Sequence, residues 1–102
     1  MDSTEKKRLA MTGDMSRAAC ATRLRAAITL TGMTQTEIAT QINRKASSIT
    51  NQIKGDQFPS RELMNYLYEE HRVDFNFMMA GSHNQLPGDV AEKLFEILAS
   101  PT

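Results

Sequence analysis

Apolar residues recur along this chain at spacings of three and four, and nowhere do they alternate with polar ones over the length of a strand. The first such stripe is Cys20, Leu24, Ala27 and Ile28, with Leu30 at its edge, and it predicts a helix from about Ser16 to Thr31 closed by Gly32. A second helix opens with the capping box Thr34-Gln35-Thr36-Glu37, turns Ile38, Ala39 and Ile42 inward, and stops at Asn43. A third spans about Ala46 to Lys54, with Ile49 and Ile53 inward and Gly55 ending it. After the loop Asp56-Gln57-Phe58-Pro59, Ser60 caps a fourth helix to about His71, with Leu63, Tyr66 and Leu67 toward the core. Asp74 caps a short fifth helix, Phe75 to Ala80, which Gly81 terminates. Asp89-Val90-Ala91-Glu92 repeats the capping-box spacing and starts a last helix that ends near Ser100-Pro101.

The pattern predicts an all-α protein. Its 102 residues suffice for one domain. The expected organisation is a flexible polar arm over residues 1–15, a helical domain over 16–81, a linker over 82–88 and a C-terminal amphipathic helix over 89–102. A short helix around Glu5 to Met11 is an alternative for the arm, although nothing in the sequence indicates what it would pack against. One cysteine rules out an intramolecular disulfide framework and fits a reducing compartment. Cys20 falls on the apolar stripe, with no His or basic cluster beside it, and reads as a small core residue. No apolar run approaches the ~18 residues of a membrane span, and Met1 to Ser16 lacks the apolar stretch of a secretory signal, so a cytoplasmic protein is expected.

Formal net charge is zero, but its distribution is lopsided. Residues 17–61 carry seven basic side chains against two acidic, whereas residues 62–102 carry two basic against seven acidic. Such asymmetry suits a polyanion-facing region backed by an acidic one. Within the basic region, two short helices joined by a tight turn match the requirements of a helix-turn-helix over roughly Gln35 to Lys54. The inner face of its first helix is apolar, and small Ala39 suits the place where the second crosses it. Asn43 tolerates the left-handed backbone that the turn needs. Ile49 and Ile53 anchor the second helix on one side and leave polar residues on the other.

At these residues the chain resembles a known family. The stretch Arg23-Leu24-Arg25-Ala26-Ala27, followed by Gly32-Met33-Thr34-Gln35-Thr36-Glu37-Ile38-Ala39, is similar to the opening of lambda-type (Xre-like) phage repressor and Cro domains. Ile49-Thr50-Asn51-Gln52-Ile53-Lys54 with Phe58-Pro59, and Val73-Asp74-Phe75-Asn76-Phe77-Met78-Met79-Ala80-Gly81, resemble later helices of phage CI-type repressors. The resemblance covers about residues 17–81 and implies a five-helix lambda-repressor-like DNA-binding domain, to which the C-terminal helix is added. Three positions depart from the family pattern. Asn43 stands where Gly is frequent, Arg44 where Val or Ile is frequent, and Lys45 where Ser or Thr commonly caps the recognition helix, so that Ser47 is an alternative cap. Ile28 and Ile53 occupy positions where some relatives bury an Arg–Glu pair, and a packed apolar pair is a self-consistent replacement.

The resemblance implies a recognition helix presenting Ala46, Ser47, Thr50 and Asn51 to base edges in a major groove. Gln35, Arg44, Lys45 and Lys54 are then the expected phosphate contacts, which set affinity and register. Ser48 lies nearer the inner face. The expected partner is a double-stranded, pseudo-palindromic DNA operator, bound by a homodimer that represses transcription. In the last helix Val90, Leu94, Phe95, Ile97 and Leu98 make an apolar stripe too wide for a solvated tail, which either folds back or meets its copy. Because repressors of this type read two half-sites, dimerisation through it is the expectation. The CI-type repressors continue into a larger C-terminal domain, so the chain is expected to be a stand-alone Cro-like regulator or a fragment. His71 and His83 have no companions at metal-ligand spacing, and no Ser sits in a nucleophile motif, so neither metal, cofactor nor catalysis is expected. The Lys6-Lys7-Arg8 cluster reads as a solubilising tail or a phosphate-tracking arm. Two other readings compete: an antitoxin binding both operator and toxin, and a helical protein-interaction adaptor.

Overall fold

Helices commonly begin where a short polar side chain can hold amides of the first turn, which have no partner within the helix. The computed structural model, which describes residues 1–100, has seven helices and no strand among those residues, and such caps open five of the helices. The seven are α1 (Ser3–Ala10), α2 (Arg17–Thr31), α3 (Gln35–Gln41), α4 (Ala46–Ile53), α5 (Arg61–His71), α6 (Phe75–Ala80) and α7 (Gly88–Ala99). Asp2, Ser16, Thr34, Ser60 and Asp74 cap α1, α2, α3, α5 and α6, and the Thr34–Glu37 capping box closes in both directions. The all-helical class and the positions of α2 to α6 follow the pattern of the sequence. Among the described residues no helix is long and apolar enough to cross a membrane.

α2 is the central element and packs against α4, α5, α6 and α7. Its buried face holds Cys20, Leu24, Ala27 and Ile28 as expected, and it also buries Ala19, Ala21, Ala26 and Arg23. The core continues through Ile38, Ile49, Leu63, Leu67, Val73, Phe77 and Met78 as one cluster. Cys20 is fully buried.

Arg23 is the largest of the fully buried side chains, and no carboxylate pairs with it. Its guanidinium instead donates to five carbonyls: Nε to Met78 at 3.1 Å, Nη1 to Ala10 at 2.8 Å and Met11 at 3.2 Å, and Nη2 to Asp14 at 2.7 Å and Met79 at 3.0 Å. A guanidinium has five N–H donors, so none is left over. Ala10 ends α1 and Met78 and Met79 lie in the last turn of α6, so the cation sits at the negative ends of both helices. Gly81 closes this junction. A Cβ there would stand 2.5 Å from the Ala10 carbonyl and 3.0 Å from Arg23 Nη1, and its φ of +72° is left-handed.

Three expectations are corrected here. Residues 1–15 are no flexible arm: α1 is packed against α7, Ala10 is fully buried, and the Gly13 amide and Thr12 hydroxyl bond the Ala80 and Gly81 carbonyls. The partner that the sequence did not disclose is the buried charge of Arg23, which needs these carbonyls. The basic cluster is correspondingly occupied, with Lys6 5.8 Å from the Phe95 ring centroid and Arg8 paired with Glu5. The apolar stripe of α7 also folds inward: Val90, Leu94 and Phe95 are buried in the core, while Ile97 and Leu98 are half-buried against it. In α7, Asp89 is no cap. The helix starts one residue earlier, after Pro87, and Asp89 pairs with Arg72 at 2.5 Å. Residues 101–102 of the expected last segment lie outside the described residues.

The role of Arg23 predicts that Arg23→Met lowers unfolding free energy by about 3–5 kcal/mol, since five carbonyls lose a charged donor. Deleting residues 1–12 should shift the urea midpoint in the same direction; an unchanged midpoint would restore the flexible-arm reading. A pH effect is expected where His83 meets Phe95 edge-on at 5.2 Å. Burial, then Lys6 and Lys7, push the imidazole below its ordinary range, so the fold favours the neutral ring. That contribution is fully present above the unfolded value of about 6.5 and is lost as pH falls from there through the lowered folded value. Melting temperature should therefore fall between pH 7 and pH 5 by more in the native chain than in His83→Phe.

Candidate nucleic-acid interface

α4 is short, and its first turn has no side-chain cap, because Lys45 holds the N-cap position. Ser47 is not the alternative cap; it lies inside the helix and is exposed. An isolated helix of eight residues is unstable in water, so its neighbours must hold α4 in place. The connection from α3 runs through Ile42, Asn43, Arg44 and Lys45. Asn43 adopts a φ of 56°, the left-handed state that the turn requires, and the Arg44 amide bonds the Ala39 carbonyl at 2.9 Å.

The inner face of α4 buries Ile49 and Gln52, while Ile53 is only half-buried. Gln52 was not foreseen as an inward residue, although it stands three positions after Ile49. Its Oε1 accepts from the Ser60 amide at 2.7 Å and its Nε2 donates to the Ser48 carbonyl at 3.2 Å, so its amide is satisfied while joining α4 to the cap of α5. Ser48 is half-buried on that side, as its spacing suggested.

The outward face presents Ser47, Asn51 and Lys54 as an exposed stripe, with Ala46 and Thr50 half-buried beside it. The Thr50 hydroxyl donates to Gln35 Oε1 at 2.8 Å, which leaves the Gln35 amide hydrogens available on the same surface. Lys45 and Lys54 are exposed at the two ends of α4 and make no ion pair among the described residues. Arg44 differs: its Nη2 lies 3.1 Å from Glu62 Oε1, so the expected phosphate contact is already paired with α5. That arginine and the Glu62 amide hold the Glu62 carboxyl below the usual carboxylate range, the amide being the larger cause.

Two arginines of α2 reach the far end of α4. Arg25 Nη1 donates to the Ile53 carbonyl at 2.5 Å and Nη2 to the Thr22 hydroxyl at 3.1 Å. Arg17 Nη1 donates to the Asp56 carbonyl at 3.2 Å. Nothing in the linear pattern marks these two, because their partners lie 28 and 39 residues away. Among the described residues no group of three or more His, Cys, Asp or Glu side chains is placed to hold a metal. The structure thus gathers Gln35, Ala46, Ser47, Thr50, Asn51, Lys45 and Lys54 around α4, and excludes Val90, Leu94 and Phe95 from any exposed surface. No family profile, curated protein or solved structure matches the chain.

The missing cap yields a stability prediction. Lys45→Ser supplies an oxygen for the first amides of α4 and should raise unfolding free energy by about 0.5–1 kcal/mol. Asn43→Ala, which forces an alanine into the left-handed state, should lower it by about 1 kcal/mol, whereas Asn43→Gly should be near neutral. Urea titration of the three variants measures both effects.

Proposed function

We propose that residues 16–81 form a lambda-repressor-like DNA-binding domain in which α3 and α4 are the helix-turn-helix. On this reading the protein is a sequence-specific transcriptional repressor that binds double-stranded DNA as two copies on a pseudo-palindromic operator. The observation that carries it is the outer face of α4: short polar side chains at Ser47, Thr50 and Asn51 lie between unpaired cations at Lys45 and Lys54. Short polar groups with multiple donors and acceptors suit base edges, and Asn pairs bidentately with adenine. Lysines flanking them suit phosphates, which position the helix without reading sequence.

The short α3–α4 connection through left-handed Asn43 supports the same reading, as does the buried apolar face of both helices. Gln35 contacts phosphate through its free amide hydrogens while its oxygen steadies Thr50. Arg44 contributes less than Lys45 or Lys54, because Glu62 competes for it. The two copies pair through a surface other than Val90, Leu94 and Phe95, which belong to the core.

Selection of bound duplexes from a random pool should return a two-fold symmetric site, with half-site centres about 10 base pairs apart or a multiple of that. Asn51→Ala should weaken binding to that site by roughly 10- to 100-fold, equivalent to about 1–3 kcal/mol, and relax preference at one base pair per half-site. Retention of full affinity and unchanged base preference by Asn51→Ala would remove α4 as the reading helix.

A further inference from the structure

The geometry points to Arg17 and Arg25 of α2 as a second phosphate clamp, registered to the C-terminal end of α4; this inference rests on the DNA-binding reading above. Both side chains are exposed, yet both are anchored. Arg25 is held on the last residue of α4 through the Ile53 carbonyl and braced by Thr22, and Arg17 is held two residues beyond α4's C-cap through the Asp56 carbonyl. Carbonyls at the C-terminal end of a helix attract a cation, but they do not cancel its charge. No carboxylate pairs with either guanidinium among the described residues, whereas Arg8, Arg44 and Arg72 are each paired.

Each guanidinium therefore retains net charge and unused N–H donors. Arg17 engages one nitrogen and Arg25 two, so both keep N–H groups for a phosphate oxygen in a charge-assisted bond. Anchoring has a further consequence. A free surface lysine must lose rotamer freedom when it binds phosphate, whereas a guanidinium already fixed to the backbone loses less. Because the anchor is α4's own last turn and the loop after it, a phosphate bound here is held at a set distance from Asn51 and Lys54. The two arginines thus set where along the backbone α4 enters the groove, while Lys45 and Gln35 do so at its other end.

The test uses the full chain, the selected operator duplex and a scrambled duplex of equal length, with binding measured from low to moderate salt. Arg17→Gln and Arg25→Gln each keep an amide donor for the carbonyl but lose the charge. Each should weaken binding about fivefold near 0.15 M salt, equally on both duplexes, and reduce the slope of log affinity against log salt by about 0.9 per bound copy. Lys93→Gln on α7 changes net charge equally and should leave the slope unaltered. Arg25→Lys, which keeps the charge, should retain most of the slope and serves if Arg25→Gln melts early. Unchanged slopes in both glutamine variants of a chain that does bind the operator, with Asn51→Ala still weakened, would overturn the clamp and leave the DNA-binding reading standing. A loss confined to the selected operator would equally overturn it, since phosphate contacts carry no sequence preference. Failure of the native chain to bind any duplex would remove the DNA-binding reading, and the clamp with it.

Discussion

A buried cation organises this fold. Arg23 lies at the centre of α2 with no acid beside it, and an unsatisfied guanidinium at that depth would be prohibitive. Its five hydrogens are all taken by main-chain oxygens, and those oxygens come from three separate places: the end of α1, the turn before α2 and the last turn of α6. Satisfying one side chain therefore requires the N-terminal segment and α6 to converge on α2. Gly81 is needed because any side chain there would occupy space taken by the Ala10 carbonyl and the guanidinium itself. The Ser16 amide and hydroxyl, aided by the Arg23 charge, also hold the neighbouring Asp14 carboxyl below its ordinary range.

α4 is the opposite case, an element with little stability of its own. It is short and uncapped at its start, and only Ile49 and Gln52 are fully inside. Its orientation comes from polar ties to three neighbours: Thr50 to Gln35 on α3, Gln52 to Ser60 before α5, and the Ile53 carbonyl to Arg25 on α2. Hydrogen bonds have directional preferences that apolar contacts lack, so such ties define an angle as well as a distance. The outward residues Ser47, Asn51 and Lys54 take no part in this support and are free to engage a ligand.

Charge segregation along the chain is only partly kept in space. Arg44 from the basic stretch pairs with Glu62 from the acidic one, and Arg72 pairs with Asp89 between α5 and α7. Exposed pairs of this kind contribute little to stability; their effect is to remove particular cations from the field presented to a polyanion. Among the cations outside these pairs, Lys45, Lys54, Arg17 and Arg25 gather on or beside α4, while Lys6, Lys7, Arg61 and Lys93 lie elsewhere. The apolar stripe of α7 is resolved in the same spirit. Its spacing demands a cover, and Phe95 shows what supplies it, since it lies in the core beneath Lys6 and against His83.

Local rules were enough to delimit most of the helices. Ser16, Thr34, Ser60 and Asp74 announce their helices because a cap bonds an amide only three residues on, and Asn43 and Gly81 announce their turns because left-handed backbone excludes most residues. The outward face of α4 was legible for the same reason, as helical periodicity alone separates Ser47 and Asn51 from Ile49. What no local rule could supply was the identity of distant partners. Nothing local marked Arg23 for burial, while residues 1–15 looked like a tail and Val90, Leu94 and Phe95 like a seam for a second subunit. Whether a charge is buried, an arm docked or a stripe covered depends on which surfaces meet across tens of residues of chain. Those meetings are settled by the summed burial and hydrogen bonding of the whole domain, and so only the tertiary structure decided them.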